Sequence, residues 1–273
     1  MGFAGLLDAR SAARHHGTVR ISAVVITRDE ERNLGRCLES LRGIADEVVV
    51  MDSGSTDRTE AIARESGARF VPQAWLGYGP QKNAAAAAAR EEWILSLDAD
   101  EALSDELRAS IRALKAAGPG ADAYEMSRLN FYCGRFLRHS GWYPDRKIRL
   151  WRKGAARWSE PIVHEVVEPA PGARVRRLGG DLLHYTCHTR EQHLTTIEKF
   201  TTLSAEELAR EGRTAGLGRR LGSPLAQFLR GYVLKLGFLD GAEGFQACWL
   251  SAYATWLKYE KLRRLREGAF ASR

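Results

Sequence analysis

The stretch that decides the fold is residues 21–57, ISAVVITRDEERNLGRCLESLRGIADEVVVMDSGSTD. It begins with a β-branched run at residues 21–26, which is typical of a strand buried on both faces. A helical pattern follows, with leucines at helical spacing at Leu34, Leu38 and Leu41. Residues 47–51 (EVVVM) form a second apolar run. A strand, a helix and a second strand joined by short links predict two parallel strands of one sheet.

The alternation of strand and helix patterns continues to residue 117. Residues 68–71 and 92–97 have the pattern of two more strands, and Pro80 suits the first turn of the helix between them because its missing N–H has no partner there. Ser104 is expected to cap a last helix that ends near residue 117. Repeated units of this kind predict an α/β fold with a doubly wound, mostly parallel, Rossmann-like sheet.

Composition and charge restrict the class of protein. The 273 residues are 44% hydrophobic and 27% charged, which excludes an intrinsically disordered chain. The net charge of +7 allows nucleic acid, anionic lipid or phosphorylated glycolipid as a partner. The sequence shows no apolar run of a spanning helix and no signal-peptide pattern, and its four cysteines are scattered. We expect a soluble or peripheral protein of a reducing compartment.

Polar clusters follow three of the predicted strands, at residues 27–30, 52–57 and 98–100. In an open α/β sheet, ligands bind beyond the carboxyl ends of the strands. Asp98 and Asp100 are two acids at positions i and i+2, and they can offer carboxylate oxygens to Mg²⁺ or Mn²⁺, which phosphates commonly share. The alternative is that these acids only cap a following helix. Neither a Gly-rich dinucleotide motif nor a P-loop occurs, which argues against oxidoreductases and P-loop NTPases.

Three segments in a fixed order carry a family resemblance: 21–41, 47–63 and 79–101 (GPQKNAAAAAAREEWILSLDADE). Together they resemble the nucleotide-binding half of family 2 glycosyltransferases, which implies a GT-A fold with a nucleotide-sugar half and an acceptor half. Later segments are similar to the lipopolysaccharide inner-core β-1,4-glucosyltransferase subgroup. They are 141–154 (GWYPDRKIRLWRKG), 162–167 (IVHEVV), 182–186 (LLHYT) and 237–245 (GFLDGAEGF).

The rest of the chain has a different pattern from the first half. Residues 121–185 alternate aromatic, basic and glycine residues, which indicates short, partly antiparallel strands beside the first sheet. From residue 193 the pattern is helical to the end. We therefore expect an N-terminal extension, a GT-A catalytic domain in two halves and a helical, membrane-associating region. Their bounds are 1–19, 20–192 (nucleotide-sugar half 20–117, acceptor half 118–192) and 193–273.

The resemblance implies roles for residues at the strand ends. Those expected to contact the nucleotide sugar are Thr27, Arg28, Glu30, Asp52, Ser53, Lys82 and Asp98. Asp52 would accept a hydrogen bond from uracil or ribose, with Ser53 beside it. Lys82 would reach the base or the phosphates, and its alternative is a solvated surface lysine. Asp98 and Asp100 would hold the ribose and the Mg²⁺ or Mn²⁺ ion on the diphosphate.

The resemblance also implies a single displacement with inversion at the transferred sugar. The cation would neutralise the leaving diphosphate, and a carboxylate of the acceptor half would accept the proton of the acceptor hydroxyl. Glu165 is the first candidate for this base and Asp145 the second, although Glu165 also suits an exposed ion pair. His164, beside that base in the catalytic part, competes with His184 as the third protein ligand to the metal. Either is otherwise a structural histidine, and the cysteine and histidine spacing here fits no paired zinc module.

The helical region carries two apolar stripes. They are Leu225, Phe228, Leu229, Tyr232, Val233 and Leu236, and then Phe245, Trp249, Tyr253, Trp256 and Leu257. Basic residues follow the second stripe: Lys258, Lys261, Arg263, Arg264 and Arg266. Aromatic side chains beside clustered cations suit helices in the headgroup layer of an anionic bilayer. The alternative is that both stripes pack on the catalytic domain as core.

The sequence thus predicts a metal-assisted glycosyltransferase with UDP-glucose as the first donor candidate. Its acceptor would be a lipopolysaccharide-type or other lipid-linked glycan, and no nucleic acid is expected as a partner. The enzyme would be peripheral on the cytoplasmic face of a bacterial inner membrane, in an oligomeric state that stays open. A nucleotidyltransferase is one rival, but it usually has a basic Gly-rich loop where residues 27–33 read TRDEERN. A non-catalytic membrane or nucleic-acid binder is another, and it would not need three acidic strand ends.

Overall fold

The computed structural model describes residues 19–159 and 165–271, so the expected N-terminal extension lies outside it apart from Val19. The strands are β1 (Ile21–Thr27), β2 (Glu47–Asp52), β3 (Arg69–Pro72), β4 (Trp93–Asp98), β5 (Glu101–Leu103), β6 (Ala123–Tyr132), β7 (Arg135–Phe136), β8 (Asp145–Arg152), β9 (Ala156–Trp158), β10 (Val167–Pro169) and β11 (Val175–Cys187). The α-helices are α1 (Leu34–Ser40), α2 (Thr59–Glu65), α3 (Tyr78–Ala88), α4 (Asp105–Ala117), α5 (Arg190–Arg210), α6 (Leu217–Leu229) and α7 (Gly241–Ala271).

One mixed sheet runs through the described part of the chain. The strand order is β3-β2-β1-β4-β8-β6-β11-β5, with β7 attached to β6, while β9 and β10 form a separate antiparallel pair. Strands β3, β2, β1 and β4 are parallel, as the alternating patterns predict. β8 is antiparallel to β4 and β6, and β11 is parallel to β6. The predicted α/β fold is confirmed, and its consecutive parallel strands are those of the first half.

Apolar side chains fill both faces of the parallel strands. On one face, Val25 belongs to a core that includes Leu38 of α1 and Ile111 of α4. On the other face, Val24 belongs to a core that includes Ala85 of α3. Neighbouring residues of β1 therefore enter different cores, as strand geometry requires. Helices thus cover both faces, which is what a doubly wound sheet means.

The middle strands lie beside the first sheet and are partly antiparallel, as predicted; they extend that sheet edge to edge, and two of them are longer than expected. β6 has 10 residues and β11 has 13, and β8 pairs directly with β4, where Ile94 lies opposite Trp151. Without β8, the edge of β4 would leave a row of backbone N–H and C=O groups unpaired inside the molecule. Basic and glycine residues interrupt the apolar pattern of these strands, and for that reason the sequence suggests shorter ones.

A strand that the sequence does not predict follows the acidic pair. β5 has three residues, too few for a periodic signal, and it pairs antiparallel with β11. His184 lies opposite Glu101 in this pairing, and the Tyr185 N–H donates to the Asp100 carbonyl at 2.9 Å. The pairing brings the end of β11 to the acidic residues 98–100.

The C-terminal region is helical, as predicted. Thr189 caps α5, since its hydroxyl accepts from the Gln192 N–H while the Gln192 side chain accepts from the Thr189 N–H. A π-helical turn (Arg230–Leu234) and a 3₁₀ turn (Gly237–Asp240) connect α6 to α7. Within the described ranges, no helix has the length and apolar content needed to span a bilayer.

Asp240 connects the C-terminal helices to the loop after β7 through hydrogen bonds. Its buried carboxylate accepts from the N–H groups of Arg138 and His139, and it lies 2.9 Å from His139 Nδ1. Gly244 approaches Gly237 so closely that an added Cβ would be 2.1 Å from the Gly237 carbonyl oxygen. The segment at residues 237–245 therefore has a packing role at this junction.

Candidate active site

The loop after β2 is ordered by Asp52. Its carboxylate accepts from the Thr27 and Ser55 hydroxyls and from the N–H groups of Gly54 and Ser55, the last two at 2.9 and 2.8 Å. Four donors fill the acceptor positions of a carboxylate. Asp52 thus shapes the loop, and its contact with uracil or ribose stays a prediction.

Asp98, at the end of β4, lies between two buried cations. Lys82 Nζ is 2.7 Å from Asp98 Oδ1, and Arg149 Nη2 is 3.0 Å from Asp98 Oδ2. Burial acts to raise the pKa of Asp98, but the charges of Lys82 and Arg149 outweigh it and hold that pKa well below its usual value. Arg149 also pairs with buried Glu101 at 2.7 Å, and Glu101 accepts the Asp98 N–H at 3.0 Å. These contacts fix the turn that carries the two acids.

Lys82 is buried and is not the solvated surface lysine of the alternative. It is 4% exposed, and its Nζ lies 4.2 Å from the centre of the Trp158 ring. The same Nζ is 3.0 Å from Glu165 Oε1. A buried ammonium group requires compensating negative charge, which Asp98 and Glu165 supply. Glu165 therefore belongs to the same cluster as the acidic end of β4.

The structure brings His184 to Asp100. His184 Nε2 is 3.3 Å from Asp100 Oδ2, and Nδ1 is 2.7 Å from Asn130 Oδ1. The Asn130 amide is oriented by its Nδ2 group, which donates to the Trp142 carbonyl at 3.1 Å. Oδ1 therefore faces the histidine, and Nδ1 carries the proton. The Nε2 atom of His184 then faces the Asp100 carboxylate.

This arrangement suits a divalent cation between Asp100 and His184. Metal-binding histidines usually donate their second N–H to an oxygen, as His184 does to Asn130. These two residues would hold the Mg²⁺ or Mn²⁺ ion that the resemblance implies, and phosphate oxygens and water would complete the shell. Asp98, the other predicted metal ligand, instead pairs through both oxygens with Lys82 and Arg149. In residues 19–159 and 165–271, no group of three or more His, Cys, Asp or Glu side chains is arranged to hold a metal ion. His164, the competing ligand candidate, lies outside the described residues.

A cavity of about 650 Å³ opens at this edge of the sheet. Predicted site residues that line it are Thr27, Arg28, Glu30, Lys82, Asp98, Asp100, Glu165 and His184. Trp75 and Tyr78, whose ring centres are 4.9 Å apart, form an exposed aromatic wall. Asp52 and Ser53 do not line it, and the Ser53 hydroxyl accepts from the Gln81 amide at 3.2 Å. The cavity thus unites all the predicted nucleotide-sugar residues except these two.

Glu30 stands in this cavity among other acids. Burial raises the pKa of Glu30, a hydrogen bond from Asn33 lowers it, and the negative charges of Asp100 and Asp57 raise it again, so that the net shift is upward. A cation bound at Asp100 would reduce this repulsion. The carboxylates of Glu30 and Asp100 in this cavity are therefore suited to a ligand that binds together with a metal ion.

A second cavity, of about 460 Å³, adjoins the first. Both are lined by Tyr78, Lys82, Asp98, Glu165 and Lys199. The second is also lined by Arg128, Lys147, Arg149, Trp158, Val166, Phe200 and Leu203. The side chain of Glu165 is 18% exposed, so its carboxylate is open to ligands although it pairs with Lys82. Glu165 stands where the two cavities meet.

Asp145, the second candidate base, lines neither cavity. Its Oδ2 accepts from Arg128 Nε and Nη2 at 2.9 and 2.6 Å, and its Oδ1 is 3.1 Å from Lys147 Nζ. Burial acts to raise the pKa of Asp145, but the charges of Arg128 and Lys147 lower it overall. A carboxylate held as counter-ion to two cations is a poor proton acceptor. The structure therefore disfavours Asp145 as the base.

Comparison with known proteins identifies the family. Residues 22–175 match the family model of glycosyl transferase family 2. The chain belongs to glycosyltransferase family 2. This confirms the family predicted from the sequence, and it removes the nucleotidyltransferase and the non-catalytic binder as rivals. The α/β sheet with its acidic strand ends at one edge is the arrangement that the GT-A prediction describes.

Relatives of this family 2 glycosyltransferase match most of the chain. An uncharacterized glycosyltransferase of Rickettsia typhi is 30% identical over 255 residues, which are 90% of this chain and 87% of that protein. The lipopolysaccharide core biosynthesis glycosyltransferase LpsC of Rhizobium meliloti is 30% identical over 248 residues, 89% of this chain and 91% of that one. A solved structure of glucosyl-3-phosphoglycerate synthase from Mycobacterium tuberculosis is 26% identical, covers 41% of this chain and 44% of that chain, and has a TM-score of 0.34. A TM-score this low supports no argument about this chain.

Proposed function

We propose that this family 2 glycosyltransferase transfers glucose from UDP-glucose to a lipopolysaccharide-core or other lipid-linked glycan, with a divalent cation and with inversion. The position of Glu165 carries the proposal, because this carboxylate stands where the two cavities meet. The first cavity, with Asp100 and His184, would hold the donor, and the second would hold the acceptor. We name them the donor cavity and the acceptor cavity.

On the donor side, the chain offers groups for both the cation and the phosphates. A bound cation would stabilise the negative charge that develops on the leaving diphosphate. Asp100 and His184 would bind it through Oδ2 and Nε2. Lys82 has three N–H donors and uses two on Asp98 and Glu165, so one remains for a phosphate oxygen.

On the acceptor side, Glu165 would act as the base. Its carboxylate would take the proton of the acceptor hydroxyl while the hydroxyl oxygen attacks the anomeric carbon from the side opposite the diphosphate. One glycosidic bond forms and one sugar–phosphate bond breaks in the same step, so the anomeric configuration inverts. An α-linked donor would then give a β-linked product.

The relationship to LpsC supports the proposed acceptor. LpsC is named for lipopolysaccharide core biosynthesis, and the match to this chain covers about nine tenths of both proteins. The match is long enough to include parts of both cavities and of the C-terminal helices. We therefore assign the acceptor to the same class.

An exposed apolar surface supports work at a membrane. We call it the α6 stripe, and it consists of Leu217, Leu221, Leu225, Leu229, Val233, Leu234, Leu236, Phe238 and Leu239, which are 45–77% exposed. α6 has no buried side chain. A concentration of exposed apolar side chains on a folded protein usually marks an interaction site. We propose that the stripe lies on the cytoplasmic face of the inner membrane, where a lipid-linked acceptor would be presented.

Three of the basic residues after the second sequence stripe form ion pairs within the protein. Arg263 and Arg264 both bind Glu260, at 2.7 and 3.1 Å, and Lys261 binds Glu198 at 2.7 Å. Hydrogen bonds from Arg263 and then Arg264 lower the pKa of Glu260 to about 2. Cations paired within the protein attract anionic lipid less strongly. We therefore expect apolar insertion of the α6 stripe to dominate membrane binding.

A transfer assay tests the proposal. Purified enzyme would receive a panel of nucleotide sugars, with Mg²⁺, Mn²⁺ or EDTA, and lipopolysaccharide from core-deficient bacteria as acceptor. We expect transfer from UDP-glucose that EDTA abolishes and Mn²⁺ or Mg²⁺ restores, and a β-linked product by NMR. A different preferred donor, transfer that survives EDTA, or an α-linked product would each overturn the corresponding part.

A further inference from the structure

The acceptor cavity has a basic wall that the donor cavity does not share. Arg128, Lys147 and Arg149 line only the acceptor cavity, and Lys82 and Lys199 line both. Among the described residues around the acceptor cavity, five are cations and two, Asp98 and Glu165, are carboxylates. The donor cavity, in contrast, contains the acidic residues that suit a metal ion. The two cavities therefore differ in the charge of the ligand they favour.

Ion pairs within the protein show which of these cations remain uncompensated. Lys82 and Arg149 are paired with the acids around the end of β4, Asp98, Glu101 and Glu165. Arg128 pairs with Asp145 and, at 3.5 Å, with Glu101, whereas Lys147 pairs with Asp145 through one of its three N–H donors. Lys199 on α5 is exposed and has no ion pair with any residue that the structure describes. The five cations of the acceptor cavity therefore face four carboxylates, Asp98, Glu101, Glu165 and Asp145, and the positive charge in excess is that of Lys199.

We propose that the acceptor cavity binds an acidic group of the acceptor sugar, a phosphate or a carboxylate, through Arg128, Lys147 and Lys199. This inference rests on the proposed function, since it describes the acceptor of the same reaction. Excess positive charge in a partly enclosed cavity attracts an anion and raises its local concentration. A guanidinium and an ammonium group beside each other suit a phosphate or carboxylate, which accepts charge-assisted hydrogen bonds.

The neighbouring residues support an acceptor ligand and not a second contact with the donor. Arg128 and Lys147 do not line the cavity that contains Asp100 and His184. Asp145 has a positioning role, because its Oδ2 binds Arg128 and its Oδ1 binds Lys147, and these contacts hold the two cations in place. This role explains why a carboxylate so close to the centre is unsuited to be the base.

A binding experiment with small probes tests the inference without an identified acceptor. The enzyme would be saturated with UDP and Mg²⁺, so that the donor cavity cannot bind phosphate. Glucose, glucose 6-phosphate and glucuronate would then be titrated by ligand-observed NMR. We expect at least one acidic probe to bind about tenfold or more tightly than glucose. The comparison of glucose 6-phosphate with glucuronate shows which acidic group, phosphate or carboxylate, the acceptor cavity prefers.

Matched variants test whether Lys147 is responsible for the preference for an acidic probe. Lys147→Gln should remove most of the preference for the acidic probe, whereas Arg146→Gln, an exposed cation on the same strand, should keep it. Lys199→Gln, on the surface of α5, gives a second test if Lys147→Gln does not fold. Equal binding of all three probes to wild type would overturn the inference, as would equal losses in the Lys147 and Arg146 variants. If the probes bind as expected but no lipopolysaccharide acceptor is glycosylated, the proposed function fails and the acidic site stands.

Discussion

Single residues in this site are set by their hydrogen-bond partners more than by their own chemistry. Asn130 fixes the tautomer of His184, and Glu101 with Arg149 fixes the turn that carries Asp98. Asp52 and Asp145 are acids that already accept hydrogen bonds from protein donors, Asp52 in the loop after β2 and Asp145 from Arg128. The role of a carboxylate here follows from how many donors it already accepts.

Replacing Glu165 tests the assignment of the base. Glu165→Gln keeps the size of the side chain but cannot accept the hydroxyl proton, so turnover should fall about 10²-fold or more. The affinity for UDP should stay within a few-fold of wild type, because the amide oxygen can still contact Lys82. Steady-state kinetics and UDP titration check both parts. Glu168→Gln, at an exposed position of β10, is the control and should leave turnover unchanged. Loss of turnover in Asp145→Asn but not in Glu165→Gln would reverse the assignment.

Replacing Asn130 tests the metal site without touching a proposed ligand. Asn130→Leu removes the acceptor for the His184 Nδ1–H, so the ring loses its fixed tautomer and direction. The Mn²⁺ concentration for half-maximal activity should rise about 10–100-fold. Asn130→Asp keeps an oxygen for the same N–H and should restore most of the metal affinity. An unchanged metal dependence in Asn130→Leu would mean that His184 does not bind the cation.

At the scale of elements, the sequence predicts the first half of the sheet well and its completion poorly. Strands β1, β2 and β4 are predicted by their continuous apolar runs. Each of them ends in a polar cluster whose residues line the donor cavity or order the loop after the strand. The residues that contact those polar clusters belong to other elements of the chain. β5 is too short to predict, yet its pairing with β11 delivers His184 to Asp100. Arg149 could be suspected from its alternation with Lys147 on β8, but alternation does not tell which cavity that face borders.

The junction between the 3₁₀ turn and α7 gives a prediction at this scale. In Gly244→Ala the added Cβ would meet the Gly237 carbonyl oxygen at 2.1 Å, so the backbone must shift. We expect the free energy of unfolding in urea to fall by about 1–3 kcal/mol, as in other overpacked sites. Gly222→Ala in α6, where no atom lies within 4 Å of an added Cβ, should be neutral or stabilising by about 0.5–1 kcal/mol. Equal stability of the two variants would show that the junction is not tightly packed.

At the scale of the whole molecule, one chain combines a polar site at the sheet edge with an apolar surface on its C-terminal helices. The sequence indicates both, and it predicts that two apolar stripes and a basic cluster lie together at the membrane. The structure pairs part of that cluster with acids of the protein. Hydrophobic periodicity identifies α6, whereas the ion pairs of Arg263 and Arg264 with Glu260 depend on how the helices pack. Only the folded arrangement reveals which charges remain for an external partner.

The α6 stripe gives the last prediction, which concerns binding to liposomes. Burying an exposed leucine contributes about 1.5–3 kcal/mol, so Leu221→Glu combined with Leu225→Glu should lower the partition of the protein onto vesicles about 100-fold or more. Ala226→Glu combined with Gln227→Glu adds the same two charges at exposed positions of α6 outside the stripe, and it should reduce binding far less. Sedimentation with vesicles that contain anionic lipid measures both.

Two further measurements, vesicle binding at high salt and transfer to a soluble acceptor, distinguish the possible reasons why a variant is released from vesicles. Raising the salt concentration from 0.1 to 1 M shortens the screening length from about 10 Å to about 3 Å, so binding through the basic cluster alone would vanish. We expect most of the binding to survive, because the stripe inserts apolar side chains and three cations of the cluster, Lys261, Arg263 and Arg264, are paired within the protein. Transfer to a water-soluble core oligosaccharide should be unchanged in the Leu221 and Leu225 double variant, which shows that its fold is intact. Binding that disappears in 1 M salt, or equal release by the two double variants, would assign membrane attachment to charge and remove the stripe from it.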